Sequence, residues 1–174
     1  MGYRLSFLSI AIVGFTALGC SGGAGAAKDA SGTAVTSATL PTTHLTTLDN
    51  TTTELASTLR GRVAVVSLWA TWCEACVAEF DALNRLETYA QTSGAVVVAV
   101  AVGESRADVA AFLATRGLRY VQLVDEEFKL ADALGQRQVP ATLVVDRRGR
   151  VRHVGGAFDA RALAAFREAL RDPG

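Results

Sequence analysis

From about His44 the chain alternates short, continuously apolar runs with stretches of helical spacing. Val63 to Trp69 (VAVVSLW) and Val96 to Val102 are uninterrupted, short and rich in β-branched residues, the pattern of strands covered on both faces. Between them Glu74 to Thr92 carries its apolar residues three and four apart and predicts a helix. Arg106 to Arg116 and Glu126 to Leu134 predict two further helices around a short strand, Tyr120 to Val124. Ala141 to Asp146 and Val151 to Val154 read as strands joined across Arg147-Arg148-Gly149-Arg150, with glycine where positive φ is cheap. A last helix runs from an Asp159 N-cap to about Leu170. Upstream, Leu45 to Thr47 and Thr52 to Leu55 flank Asp49-Asn50 and pair as a small hairpin. Strands that alternate with helices and close with a hairpin and a helix predict an α/β fold, a central mixed β-sheet flanked by helices.

Ahead of His44 the pattern changes twice. Leu5 to Leu18 is an uncharged run of 14 residues that follows Arg4. A membrane-spanning helix needs about 20 apolar residues, so the run reads as the hydrophobic region of a secretory signal, with an uncleaved anchor or a buried strand as the alternatives. It ends in Ala17-Leu18-Gly19-Cys20, which resembles the bacterial lipobox, although Ala17 stands where that motif usually has Leu. The resemblance implies cleavage before Cys20 and lipidation of its thiol. Residues 1–19 are then a signal peptide, 20–43 a flexible tether and 44–174 the folded domain. From Ser21 to Thr43 the composition shifts to Gly, Ala, Ser and Thr, with Lys28 and Asp29 the only charges and Leu40 the one large apolar side chain, too little apolar surface to offset ordering entropy. Coil statistics give the tether a span of roughly 25 Å.

Composition narrows the functional classes. The chain has 174 residues with 17 Lys+Arg against 17 Asp+Glu, so no net positive field draws it to phosphates and no nucleic acid is expected as a partner. Three cysteines are too few for a disulfide scaffold, which makes each of them a candidate for chemistry.

That chemistry gathers at Trp72-Cys73-Glu74-Ala75-Cys76, where the first buried strand gives way to a helix. Cys73 at the helix start and Cys76 one turn on bring two thiols together. The free N–H groups and positive end of a helix stabilise a thiolate, lowering a reference pKa of about 8.5 towards 7. Cys73 is then the nucleophile for a partner's disulfide, and Cys76 resolves the mixed disulfide. A closed zinc site wants four ligands, and the domain offers two Cys with His44 and His153, so no metal and no other cofactor is expected. Two other readings remain: a metallochaperone holding Cu(I) with Cys73, Cys76 and a histidine, and a redox-inert adaptor that only binds clients.

The stretch Ser67-Leu68-Trp69-Ala70-Thr71-Trp72-Cys73-Glu74-Ala75-Cys76 resembles the strand, aromatic loop and redox motif of the thioredoxin superfamily, and more closely its TlpA/ResA-like membrane-tethered thiol-disulfide oxidoreductases. The resemblance covers about His44 to Leu170. It implies a thioredoxin-like fold preceded by the small hairpin, and an extracytoplasmic reductant tethered through Cys20. Its clients would be disulfide-bearing envelope proteins, apocytochrome c among them, and its electron donor a membrane thiol carrier. Val139-Pro140-Ala141-Thr142 is similar to the segment where that family packs a cis proline against the redox pair. Only about 5–6% of X–Pro bonds are cis in folded proteins, so the expectation rests on the resemblance alone. Val139 would inherit backbone contacts to a bound client strand, and Trp72 would offer it an apolar surface.

Two departures from the family pattern matter. Ala75 and Asp81 stand where prolines are common, which predicts a helix that starts more regularly and bends less. Ser67 occupies the position of the buried acid that serves proton transfer in cytoplasmic thioredoxins, leaving that task to another group. Glu79 is the candidate, because on a helical wheel it shares the apolar stripe with Cys76, Phe80, Leu83, Leu86 and Ala90. Burial there would raise its pKa and let it exchange a proton with Cys76. Glu87 falls on the same stripe, so position alone does not separate the two. Glu74, between the cysteines, either repels a neighbouring thiolate and biases the pair towards the reducing end near about −270 mV, or is a solvent-facing acid at a helix start.

Overall fold

The computed structural model describes residues 38–174; the expected signal segment, Cys20 and most of the expected tether lie outside the described residues. In chain order the elements are β1 (His44–Thr47), β2 (Thr52–Glu54), α1 (Leu55–Leu59), β3 (Val63–Trp69), α2 (Glu74–Ala78), α3 (Phe80–Thr92) and β4 (Ala95–Val102). There follow α4 (Arg106–Leu113), β5 (Val121–Asp125), α5 (Lys129–Ala133), β6 (Ala141–Val145), β7 (Val151–Gly155) and α6 (Ala160–Arg171). The strands form one mixed sheet in the order β2-β1-β5-β4-β3-β6-β7. β3, β4 and β5 run parallel, while β6, β7 and the β1–β2 hairpin are antiparallel to their neighbours.

The two continuous apolar runs become the central strands because every residue of β3 and β4 is buried. Alternate side chains serve opposite faces. Val63, Val65, Trp69, Val97 and Ala99 meet Phe80, Leu83, Leu86 and Ala90 of α3, Val109 of α4 and Phe166 of α6 on one side. Ala64, Val66, Leu68, Val98 and Val100 meet Leu55 and Leu59 of α1 and Leu130 of α5 on the other. The hairpin, the mixed sheet and the flanking helices stand as expected, and Asp159 caps α6 by accepting from Arg161 N and Ala162 N at 2.9 Å each.

Four expectations need correction. The expected tether extends to Thr43, but Leu40 and Thr43 are buried, and Leu40 N donates to Gly149 O at 2.9 Å, so the packed chain begins before His44. A single Leu supplies the apolar anchor that composition averages away. Leu55 opens α1 instead of ending a strand, since the five-residue helix points Leu55 and Leu59 into the same core. α5 starts at Lys129 and not at Glu126, because Phe128 adopts φ +57° and the Asp125 carboxylate accepts from Leu130 N and Ala131 N at 2.9 and 3.1 Å. The expected single helix from Glu74 to Thr92 is interrupted at Glu79, whose N–H bonds to Cys76 O and Val77 O. Absence of proline did not keep it continuous; a tertiary bond to the Glu79 side chain accompanies the tightened turn.

Candidate functional site

The end of β3 sets the position of the cysteine pair. After Trp69 the chain turns through Ala70, Thr71 and Trp72, and Cys73 N donates to Ala70 O at 3.1 Å. Thr71 is clamped from the β4–α4 loop: its N–H donates to Glu104 Oε2 at 2.7 Å and its hydroxyl donates to Glu104 Oε1. Sequence reasoning missed Glu104, because 33 residues separate it from Thr71 and no local motif marks it. Trp69 is buried edge-on against Phe80, ring centroids 5.0 Å apart, whereas Trp72 is 70% exposed beside the pair.

Cys73 is the N-cap of α2 and Cys76 lies within it, joined in a disulfide with Cα atoms 5.3 Å apart. The Cys76 N–H donates to Cys73 Sγ at 3.2 Å, and the Cys73 carbonyl accepts from Cys76 N and Val77 N at 3.0 and 3.1 Å. Cys73 is 6% exposed and Cys76 2%, so Cys73 is the more accessible residue of the pair. A donor already directed at Cys73 Sγ stabilises negative charge on that atom.

Glu79 turns inward from the break between α2 and α3. Its Oε1 accepts from Phe158 N at 2.6 Å, while the buried Oε2 has no partner among the described residues. Burial pushes its carboxyl above the usual range, against the Phe158 hydrogen bond that favours the charged form. Burial, with the charges of Glu79 and Asp81 adding, also pushes the Tyr120 phenol well up, which marks Tyr120 as a neighbour of this acid. Glu87, on the same stripe, is a structural acid. Its Oε2 accepts from Val97 N at 2.8 Å and its Oε1 from Gln91 Nε2 at 3.0 Å, closing the β4 ladder where β5 has not yet begun. Ser67 is buried between Ala99 and Thr142 and brings no acid. Glu74 is exposed in the first turn of α2.

The Val139–Pro140 bond is cis. The register pairs Leu68 with Ala141, so Pro140 lies beside the end of β3 from which the cysteine loop departs, and Val139 packs against both faces of the core. The histidines stay apart from the sulfurs: His44 belongs to β1, and His153 Nε2 lies buried on β7, close against Gly155. No group of three or more His, Cys, Asp or Glu able to hold a metal ion occurs among the described residues. Nor is any helix among them long and apolar enough to cross a membrane.

The Redoxin family matches residues 30–169. The chain is similar to the thiol-disulfide oxidoreductase ResA of Geobacillus thermodenitrificans, 30% identical over 95 residues, which is 55% of each chain. It is also similar to the thiol:disulfide interchange protein DsbE of Pseudomonas fluorescens biotype C, 33% identical over 114 residues, 65% of this chain and 59% of the relative. The chain thus spans little more than half the length of these curated relatives. Its fold is similar to the crystal structure of a secreted thiol-disulfide isomerase from Corynebacterium glutamicum, with TM-score 0.67, 24% identity, 76% of this chain and 86% of that one. The mixed sheet with its flanking helices is therefore a thioredoxin-like fold.

Proposed function

The chain belongs to the Redoxin family, and on that premise we propose that it is a thiol-disulfide oxidoreductase that reduces disulfides in proteins outside the cytoplasm. The observation that carries the reading is the Cys73–Cys76 pair, bonded to each other with a backbone donor aimed at the outer sulfur. In the reduced protein Cys73 attacks one sulfur of a client disulfide as a thiolate, and one client thiolate leaves. Cys76 then attacks Cys73 Sγ, breaks the mixed disulfide and releases the second client thiolate. The client gains two electrons and two protons, and Cys73–Cys76 becomes the disulfide. A thiol carrier must return two electrons to the pair before the next turnover.

The supporting residues take separate roles in this scheme. Glu79 is placed by Phe158 N and raised by burial, so it can accept the Cys76 proton and later return it. Pro140 and Val139, next to the end of β3 from which the cysteine loop departs, would offer an edge on which a client strand can lie, with the exposed Trp72 as its apolar neighbour. Glu104 holds the loop that carries Trp72 and Cys73. Lipidation at Cys20 places the domain on a membrane outside the cytoplasm; a labelled fatty acid should enter the wild type and not Cys20→Ala.

Catalysed reduction of insulin by dithiothreitol tests the activity. Wild type accelerates it and Cys73→Ser does not; equal rates overturn the reading. A Cys76→Ser chain retains the attacking sulfur and traps its clients as mixed disulfides, with apocytochrome c or other envelope proteins the clients that the TlpA/ResA-like resemblance implies. A midpoint potential above about −150 mV would contradict the reductant role.

A further inference from the structure

The two ends of the sheet differ in charge. The loops beyond the C-terminal ends of β3, β4 and β5 carry Glu104, Glu126 and Glu127, with Arg106 opening α4 beside Glu126 and Lys129 paired to Glu127 at 2.9 Å, and the cysteine pair lies at this end with Glu74. At the opposite end the segments entering β3 and β5 and the β6–β7 turn carry Arg60, Arg62, Arg116, Arg119, Arg147, Arg148 and Arg150, against Asp146 of the turn and Asp172 from the end of α6. Asp146 is buried and consumed by Arg150 and Arg152, with Asp172 bridging the same two arginines. Arg60, Arg62 and Arg148 are exposed, and none has a carboxylate partner among the described residues. The exposed acid Asp49 belongs to the β1–β2 turn at the far edge of the sheet.

The same end receives the chain from its N-terminal segment. Val151 N donates to Ala38 O at 2.8 Å, Leu40 N donates to Gly149 O at 2.9 Å, and Thr39 bridges to Arg150. A cleft of about 220 Å³ opens between Leu40, Leu59 and Gly61 on one side and Arg147, Arg148 and Gly149 on the other. It offers an apolar floor and a cationic rim beside the point where residues 1–37 attach.

We infer that this arginine-bearing end is a docking surface for a membrane rich in anionic phospholipid, with Arg60, Arg62 and Arg148 meeting headgroup phosphates and the cleft taking a headgroup edge. The cysteine pair, at the other end of β3, then faces away from the bilayer and towards clients. Charge complementarity supplies the attraction, at about fivefold in partition for each arginine near the surface and about a hundredfold for three. The attraction extends only about a Debye length of 8–10 Å at physiological salt, so a lipid at Cys20 would raise the time the patch spends within range without being required for the contact. The inference deepens the anchoring reading but does not need it, because the patch lies wholly within the folded domain.

Amide hydrogen exchange of the full chain on vesicles tests it. Residues 60–62 and 147–150 should gain protection on vesicles containing phosphatidylglycerol, gain none on phosphatidylcholine alone, and lose the gain at high salt. A chain with Arg60→Glu, Arg62→Glu and Arg148→Glu should lose it throughout; Arg148→Gln, a milder change, should weaken it about fivefold. Equal exchange on the two vesicle types, or protection retained in the triple variant, overturns the inference. Flotation with phosphatidylcholine vesicles reads the anchor separately: a chain that fails to float there, yet floats and gains protection with phosphatidylglycerol, loses the anchor and keeps the contact.

Discussion

Asp146 and Glu79 are carboxylates drawn into opposite ends of one sheet, and their surroundings complete them differently. Asp146 Oδ1 accepts from Arg148 N and Arg150 N at 2.9 and 3.0 Å, and its Oδ2 from Arg150 Nε and Arg152 Nη1 at 2.9 and 3.2 Å. Burial alone would raise its pKa, but these bonds outweigh it and hold the carboxyl below the usual range. Glu79 has one bond on one oxygen and none on the other, and burial wins. An ionised carboxylate offers about four acceptor positions. Filling them fixes the charge and makes a joint; leaving most of them empty makes a group that can take up and release a proton.

The largest effect should come from emptying the complete site. Asp146→Ala strands two backbone N–H groups and two arginines, and we expect a loss of about 3 kcal/mol in urea unfolding. Glu87→Ala, which leaves Val97 N without its acceptor, should cost about 2 kcal/mol by the same measurement while insulin reduction proceeds unchanged. Glu79→Gln keeps an acceptor for Phe158 N and should leave folding nearly intact, yet slow thiol exchange about tenfold, or ~1.4 kcal/mol of barrier. A rate unchanged across the pH range would place Glu79 with Glu87 as a structural acid.

The smallest effect is in the pH dependence of stability, where the two acids have opposite signs. Asp146 titrates lower in the folded chain, so its contribution is complete above its unfolded pKa and is lost as pH falls through the folded value. Glu79 titrates higher in the folded chain, so its contribution is complete below its unfolded pKa and is lost as pH rises through the folded value. Thermal unfolding of Glu79→Gln should therefore gain on the wild type between acid and neutral pH. A constant difference across that range would contradict the opposed signs.

The parts of this molecule that could be read from sequence are those whose cause is local. β3 and β4 announce themselves because burial on both faces demands an unbroken apolar run. The cysteine spacing and the Asp159 cap are local for the same reason. What escaped is held by partners far along the chain. Glu104 reaches Thr71 across the sheet end, Phe158 meets Glu79 from the loop before α6, and Leu40 seats in the core from a stretch whose composition reads as coil. α1 escaped on length, since five residues are too few to show a period. Glu79 and Glu87 occupied equal positions on one helical stripe, and only the backbone groups opposite them, Phe158 N for one and Val97 N for the other, tell them apart.

The chain has two tryptophans, Trp69 and Trp72, and both lie within a few residues of the disulfide. One indole is packed against Phe80 and Phe112 and the other is open to solvent, so their emission should separate in wavelength. The protein thus carries its own optical gauge. Light from the inner ring reports whether the sheet end is intact, and light from the outer one dims or brightens as the neighbouring sulfurs join, part, or are covered by a visiting chain.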